Sequence, residues 1–338
     1  MRELGVMIVG PGWVAGQHIM SYVKNPRTAI RVIVGMIPED RNRAEAYMKE
    51  YGFECEYTED YEGAVSRNDI DIVAVCTINH LHYQQTLAAV DNGKHTFVEK
   101  PLCFNLDELR HLVKQVEEQS VQTQVGHVVR YYPAIVGLHN YLTSGGIGEI
   151  YYCECDYWHE IIGEWKVKNE TGGSALLMGG CHSVDMVRWL VGENVEVDEV
   201  FAYSTHGHRR PDFQYDPNVY LMMKFENGVV GKVGTSLECD MPYVFHLQVN
   251  GTKGTIRNNG IFSEQFPDLK SFVTLPSQYP DDWNVSHHPF PEEVNDFVDC
   301  IVESREPELS IPRAGKTYEV IFAAEQSARE GRPIKLPL

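Results

Sequence analysis

The chain has 338 residues, 43% hydrophobic and 23% charged, a balance that supports packed cores in roughly two domains and excludes a disordered or fibrous protein. Lys plus Arg number 29 against 48 Asp plus Glu, a formal net charge of −19 that repels phosphate backbones and anionic lipid, so neither nucleic acid nor a membrane is an expected partner. No stretch reaches the ~18 uninterrupted apolar residues of a membrane helix, the opening Met1-Arg2-Glu3-Leu4 carries no leader signature, and eight dispersed cysteines without a CxxC pair fit reduced thiols in a cytoplasm.

The first element is a buried strand of parallel type, Leu4-Gly5-Val6-Met7-Ile8-Val9, followed at once by Gly10-Pro11-Gly12-Trp13-Val14-Ala15. This is G-x-G-x-x-A between a strand and a helix that ends near Asn25-Pro26. Gly10 serves a tight turn, Gly12 lets backbone approach a diphosphate, and Ala15 lets the helix sit close to the strand. The free N–H groups and dipole of the helix start then hold a dinucleotide, with Trp13 and Val14 beside it; an ordinary glycine turn is the alternative. The next strand, Ile30-Arg31-Val32-Ile33-Val34, ends in Gly35-Met36-Ile37-Pro38, where an acid normally meets the adenosine ribose. Glu39 and Asp40 come slightly late, flanked by Arg41 and Arg43, so NAD is favoured and NADP is not excluded. Glu39 is the ribose candidate, against a solvated helix start.

A helical stretch at 41–51 leads to a buried strand at 70–76, with Thr77-Ile78-Asn79-His80-Leu81-His82 at its carboxyl end, where open α/β sheets bind ligands. Thr77, Asn79 and His82 are cofactor candidates; no metal is expected, since His80 and His82 lack a neighbouring acid or thiolate pair. Thr96-Phe97-Val98 then runs into Glu99-Lys100-Pro101. An ammonium at a buried strand end costs several kcal/mol unless it is paired or used.

G-x-G-x-x-A-x-x-H from Gly10 to His18, Thr77-x-Asn79-x-x-His82 and Glu99-Lys100-Pro101, in that order and strand context, resemble the Gfo/Idh/MocA family of sugar and polyol oxidoreductases. The likeness extends over nearly the whole chain. It implies an α/β protein: an N-terminal doubly wound Rossmann domain, then an α+β domain whose large open mixed or antiparallel sheet forms one wall of the substrate site. It also implies a homodimer or homotetramer, bound NAD with Glu99 and Lys100 beside it, and a small carbohydrate or cyclitol substrate.

The βα alternation finishes at 121–126, which places a dinucleotide-binding domain at 1–125 and a substrate and oligomerisation domain at 126–338. The helical stretches 292–303 and 317–330 are expected to pack as scaffold in the second domain. His127-Val128-Val129-Arg130 is similar to the family's segment near the nicotinamide end, which makes Arg130 a cofactor candidate; a helix-surface charge is the alternative. Strand-like segments at 149–158, 219–225, 229–235 and 245–249 build the second sheet, with Asn227-Gly228 as a type I′ hairpin signal and another turn at 251–254.

The segment from Thr171 through Gly172-Gly173 to Leu190 reads as a helix entered through glycines and ended by Gly192. His182 falls one turn after Met178 and one turn before Asp185, so the three share a side. The resemblance implies an Asp at position 178 beside the His; this chain has Met, whose thioether carries no charge and accepts only weakly. Asp185, or Asp156, His159 or Glu160 from the sheet, are the available substitutes, and a satisfied core histidine is the alternative for His182. An imidazole titrates near ~6.5 and a lysine near ~10.4. His182 is therefore read as the base and Lys100 as the donor to the substrate oxygen, both catalytic. Tyr157, His159, Trp165 and Asp185, with His182, are the substrate candidates. The expected reaction is hydride transfer between a secondary alcohol of a sugar, glycoside or cyclitol and the nicotinamide of NAD(P). Alternatives are a glycoside-cleaving or isomerising enzyme that retains NAD and passes through a transient ketone, and a non-enzymatic dinucleotide-binding regulator.

Overall fold

The computed structural model describes residues 2–280 and 287–338. The chain divides into two compact units, Met1–His127 with Pro289–Gly315, and Val128–His288 with Lys316–Leu338.

In the first unit β1 (Leu4–Val9), α1 (Trp13–Lys24), β2 (Thr28–Val34), α2 (Asp40–Tyr51), β3 (Glu56–Thr58), α3 (Tyr61–Val65), β4 (Ile72–Val75), α4 (His82–Asp91), β5 (His95–Glu99), α5 (Leu106–Glu118) and β6 (Thr123–Gly126) alternate along the chain. The strands form a six-stranded sheet in the order β3-β2-β1-β4-β5-β6, with every pair parallel. Val6–Val9 and Ile72–Val75 are wholly buried because helices cover both faces, which is why they read as unbroken apolar runs. β3 escapes such a reading: it is a three-residue edge strand whose side chains are exposed or half-buried. The sheet order reverses at β1/β4, the place where ligands of open α/β sheets lie.

The second unit contains α6 (Pro133–Thr143), β7 (Ile150–Trp158), the short α7 (Asn169–Gly172), α8 (Cys181–Val191) and β8 (Val197–Thr205). Then follow β9 (Asn218–Phe225), β10 (Val230–Ser236), β11 (Val244–Gly251), β12 (Gly254–Arg257), β13 (Gly260–Ser263) and β14 (Val273–Thr274). After α9 (Phe290–Glu303) and α10 (Ile311–Glu330), β15 (Ile334–Lys335) completes a nine-stranded sheet, ordered β14-β13-β12-β11-β7-β10-β9-β8-β15. It is mixed: β7 and β10 run parallel, and the other pairs are antiparallel.

Three expectations change. α9 belongs with the first unit, because Val294, Phe297 and Val298 join the core cluster of Ile8, Ile19, Tyr22 and Phe97. The boundary also falls after His127 rather than at 125, and the stretch before α10 lies along β6, where Val125 N donates to Leu309 O at 2.9 Å and Ile311 N to Thr123 Oγ1 at 3.0 Å. At the β9–β10 hairpin, Gly228 has φ +85° but Asn227 is not among the residues with positive φ, which type I′ demands at both central positions. Gly228 N instead bonds Phe225 O at 2.9 Å, a three-residue loop closed by a left-handed glycine.

Candidate functional site

In the first unit β1 turns through Gly10 at φ +75°, where a Cβ would lie 2.6 Å from Thr77 Cγ2 and 2.9 Å from Thr77 Cα. Only glycine fits there. At Gly12 a Cβ would meet nothing nearer than Gly10 O at 4.0 Å, and α1 begins directly after it without a side-chain cap. The leading N–H groups of this 12-residue helix thus open onto space that backbone, not side chain, borders. The arrangement fits a dinucleotide diphosphate. Tyr47, unmarked by any motif, donates to Gly12 O at 3.0 Å and shapes the loop from α2. Ala15 is buried against the sheet, Val14 is half-buried, and the exposed Trp13 ring meets Phe290 edge-on at 6.3 Å.

Glu39 is exposed just before α2, whereas buried Asp40 accepts from Met36 N at 2.8 Å, Ile37 N at 3.2 Å and Arg43 Nη1 at 2.9 Å. Asp40 therefore ties the turn, and Arg41 lies 4.3 Å over the Tyr57 ring.

At the end of β4, Thr77 Oγ1 donates to Gln85 Oε1 at 2.6 Å and buried Asn79 opens a 3₁₀ turn, Asn79–Leu81. His80 is exposed, but His82 is buried with Nδ1 2.8 Å from Pro101 O and Nε2 3.0 Å from Thr77 O. Burial pushes the His82 ring below the ordinary histidine range, against these two carbonyls, which favour its protonated form. The ring bridges the segments just beyond β4 and β5, with half-buried Lys100 directly before Pro101. Glu99 accepts from His18 Nε2 at 2.8 Å. Burial works to raise its carboxyl, but the His18 hydrogen bond and the charges of His18, Lys100 and His82 hold it below the usual glutamate value.

In the second unit the glycine-led segment departs from a plain helix. Leu176–Gly180 is a π turn in which Cys181 N reaches back five residues to Leu176 O, before α8 begins. Such turns insert one residue into a helix and favour functional sites. Gly179 and Gly180 permit close approach to the sheet: a Cβ at Gly179 would lie 2.4 Å from Tyr157 Cε1, and one at Gly180 2.5 Å from Thr235 Oγ1. The Tyr157 ring stacks on buried His182 at 6.2 Å with an interplanar angle of 25°. Its Oη lies 2.9 Å from His159 Nδ1, and Tyr243 packs on both rings at 5.4 and 5.1 Å. His288 adjoins Tyr243 at 6.0 Å and Tyr132, whose Oη lies 2.6 Å from its Nδ1. Tyr132, Tyr243 and His288 lie in separate stretches of the chain; the sequence marks only His287-His288, as a loop-like pair able either to reach the cleft or to be solvated, and it gives no sign of Tyr243.

The proposed substitutes for an acid at position 178 are largely engaged elsewhere. Asp156 alternates with Tyr157 onto the other face of β7, where Lys232 Nζ donates at 2.6 and 2.8 Å and Gly234 N at 2.6 Å. Glu160 pairs with Arg209 at 2.5 Å. Asp185 receives Arg130 Nε at 2.7 Å and Nη2 at 2.8 Å, while Arg130 Nη1 reaches Glu193 at 2.9 Å. Burial disfavours the Arg130 charge, but these carboxylates more than offset it and raise its proton affinity. Arg130 is thus a buried ion-pair partner and not a helix-surface charge. Half-buried Trp165 receives the Lys166 ammonium 5.7 Å over its ring and accepts from Thr171 Oγ1 through its carbonyl. A carboxylate that sequence reasoning overlooked, Glu238, accepts from the N–H groups of His208, Arg209 and Arg210 at 3.1, 2.9 and 3.0 Å and from Asn218 at 2.7 Å, which anchors the basic 206–210 loop.

Removing one member of a buried pair leaves an uncompensated charge. Asp185→Asn should therefore lower unfolding free energy by about 3 kcal/mol in urea titrations. A variant as stable as the parent would return Asp185 to the substrate candidates.

Family models match residues 4–127, an oxidoreductase family with an NAD-binding Rossmann fold, and residues 140–336, the C-terminal α/β domain of the same oxidoreductase family. The chain is 26% identical over 340 residues to scyllo-inositol 2-dehydrogenase (NAD(+)) of Bacillus subtilis, covering 99% of this chain and 97% of that one. Levoglucosan dehydrogenase of Pseudarthrobacter phenanthrenivorans is 26% identical over 287 residues, 76% of this chain and 73% of the relative. Among solved structures, a levoglucosan dehydrogenase in complex with NADH and L-sorbose superposes with a TM-score of 0.88 at 24% identity and 100% coverage of both chains, a likeness of fold. The chain belongs to the Gfo/Idh/MocA oxidoreductase family, with its NAD-binding Rossmann fold at 4–127 and its C-terminal α/β domain at 140–336.

Proposed function

We propose that the protein oxidises a secondary alcohol of a sugar, glycoside or cyclitol at the expense of NAD. NAD, when bound, supplies the nicotinamide carbon that accepts hydride. Gly10, Gly12 and the start of α1, with Trp13, Val14 and Ala15, would hold its diphosphate side, and Glu39 would meet the adenosine ribose. Thr77, Asn79, His82 and Glu99 order the strand ends from which Lys100 donates to the substrate oxygen and stabilises developing alkoxide. His182 takes the hydroxyl proton, and Tyr157, His159 and Trp165 bind neighbouring hydroxyls. Arg130 and Asp185 hold α8 in place through their ion pair.

The observation that carries this reading is a diphosphate-fitting helix start in a β3-β2-β1-β4-β5-β6 sheet, in one chain with a buried imidazole on α8 flanked by tyrosine and histidine. Relatives named for scyllo-inositol and levoglucosan support the substrate class. A second reading, retained NAD and no net oxidation, is favoured by two relatives named 2,7-anhydro-N-acetylneuraminate hydratase.

Thermal-shift titrations with NAD and NADP, followed by absorbance of reduced cofactor with scyllo-inositol, myo-inositol, levoglucosan and simple glucosides, test these readings. NAD at 100 times its Kd should stabilise the fold by about 2.7 kcal/mol, and a polyol should yield free NADH. Glycoside turnover without NADH release supports the second reading instead. Lys100→Met should abolish turnover with NAD binding retained; unimpaired turnover removes Lys100 from the mechanism.

The outer face of the second sheet supports a homodimer or homotetramer, because Tyr203, Tyr220 and Met222 stand exposed on adjacent strands. Sedimentation velocity should return two or four copies, and a monomer at micromolar concentration contradicts it. Eight free cysteines suit a cytoplasmic setting, and no helix among the described residues is long and apolar enough to cross a membrane.

A further inference from the structure

Resting on the polyol reading above, we propose that His159 is a positioning residue for the base: His159 and His182, both against Tyr157, titrate as a coupled pair that holds a single proton during turnover. The thioether of Met178 cannot supply a charge to His182. Asp185 is engaged by Arg130, Glu160 by Arg209, and Asp156 faces Lys232 across the other side of β7. His159 is joined to the His182 surroundings through Tyr157, by ring contact and hydrogen bond.

Tyr157 is the connection. Its ring lies on His182 and its Oη is 2.9 Å from His159 Nδ1, while Tyr243 packs against Tyr157 and His159 together. The backbone fixes His159 as well, since its N–H donates to Ser236 O at 3.1 Å. Burial, with lesser contributions from Cys181 and Cys239, pushes the Tyr157 phenol far above its ordinary range, so it stays protonated and the proton count of the group resides on the histidines. When His159 is neutral, Tyr157 donates to Nδ1 and the ring proton sits on Nε2; when it is charged, Nδ1–H donates to the phenol oxygen. Both states keep the same ring orientation.

Titratable groups around the pair include, among the described residues, Cys155 on β7, Cys181 on α8, the ion pair of Asp185 on α8 with Arg130 from the turn at 128–131, Cys239 and Tyr243 between β10 and β11, Tyr132 with its partner His288, and Glu160 with Arg209 next to His159. Burial raises the Cys155, Cys181-facing Tyr157 and Tyr243 groups beyond the neutral range, so they remain uncharged while the imidazoles titrate. Two imidazolium ions against one buried phenol repel each other in a medium that screens poorly. On taking the hydroxyl proton of the substrate, His182 becomes an imidazolium, a state that a neutral His159 favours. The proton then passes to water before the next turnover.

Nitrogen-15 NMR of the histidine side chains, on the full chain with NAD bound, tests the coupling. In the parent, His159 should show the Nε2–H tautomer at neutral pH, and Tyr157→Phe should remove that preference. His159→Gln should raise the His182 titration midpoint by about half a pH unit or more, through loss of a like charge. His159→Asn, whose amide still accepts from Tyr157, should give the same shift and guards against loss of fold. With scyllo-inositol, myo-inositol and levoglucosan as probes, the acid limb of the kcat/KM profile should move upward by the same amount, which a merely structural histidine would leave in place. An unchanged His182 midpoint in both variants overturns the proposal. Failure of the parent to reduce NAD with any of the three probes counts against the polyol reading alone, because the NMR titration decides the coupling without substrate.

Discussion

The second unit is organised by how closely α8 and its entry turn approach β7 and β10. Glycine at 179 and 180 lets the π turn lie against Tyr157 and Thr235, where a Cβ would come within 2.4 and 2.5 Å, and Gly231 on β10 does the same for Val187, where a Cβ would lie 2.9 Å away. The π turn inserts one residue into the coil just before His182, so the imidazole arrives on the Tyr157 ring rather than a fraction of a turn away from it. A bulkier residue at 179 would have to displace the Tyr157 ring, which is itself hydrogen-bonded to His159.

Burying α8 this deeply has an electrostatic consequence. Residues 181–190 are all buried, yet they include Asp185 and Arg188, which cannot stay charged there without partners. Asp185 is matched by Arg130 from the 3₁₀ turn Val128–Tyr131, and Arg188 donates to Thr317 at 2.8 Å. The first unit shows the same economy at its strand ends. Glu99 is matched by His18, and His82 spans two carbonyls, so the residues on either side of Lys100 are both tethered. In each unit a candidate for proton or charge chemistry sits next to groups whose own charges are satisfied by fixed neighbours.

Much of this was legible from sequence because it depends on local signals. The strand-turn-helix around Gly10 and Gly12 and the apolar runs of β1, β2, β4 and β5 each express a short-range rule and are found where expected, whereas the glycine-entered helix at His182 is present but starts only at Cys181, after a π turn. What escaped depends on distance along the chain or on departures from regular periods. The Arg130–Asp185 pair spans 55 residues, and no spacing announces it. A π turn is invisible to a pattern that assumes i, i+4 neighbours. β3 is too short to show alternation, and α9 carries an amphipathic stripe that says it must be buried without saying against which sheet. The partner for His182 stayed ambiguous among four side chains because the alternation of β7 and the occupancy of each acid by a cation appear only in three dimensions.

The central claim, that glycine at 179 seats His182 against Tyr157 to make a working base, is tested most directly by Gly179→Ala. The structure puts the new methyl 2.4 Å from Tyr157 Cε1. The account predicts that ring-current shifts between Tyr157 and His182 change and that NAD reduction by the best polyol falls by about 100-fold or more, with NAD affinity kept. Parent-like turnover in a variant whose Tyr157 ring has left His182 would contradict it.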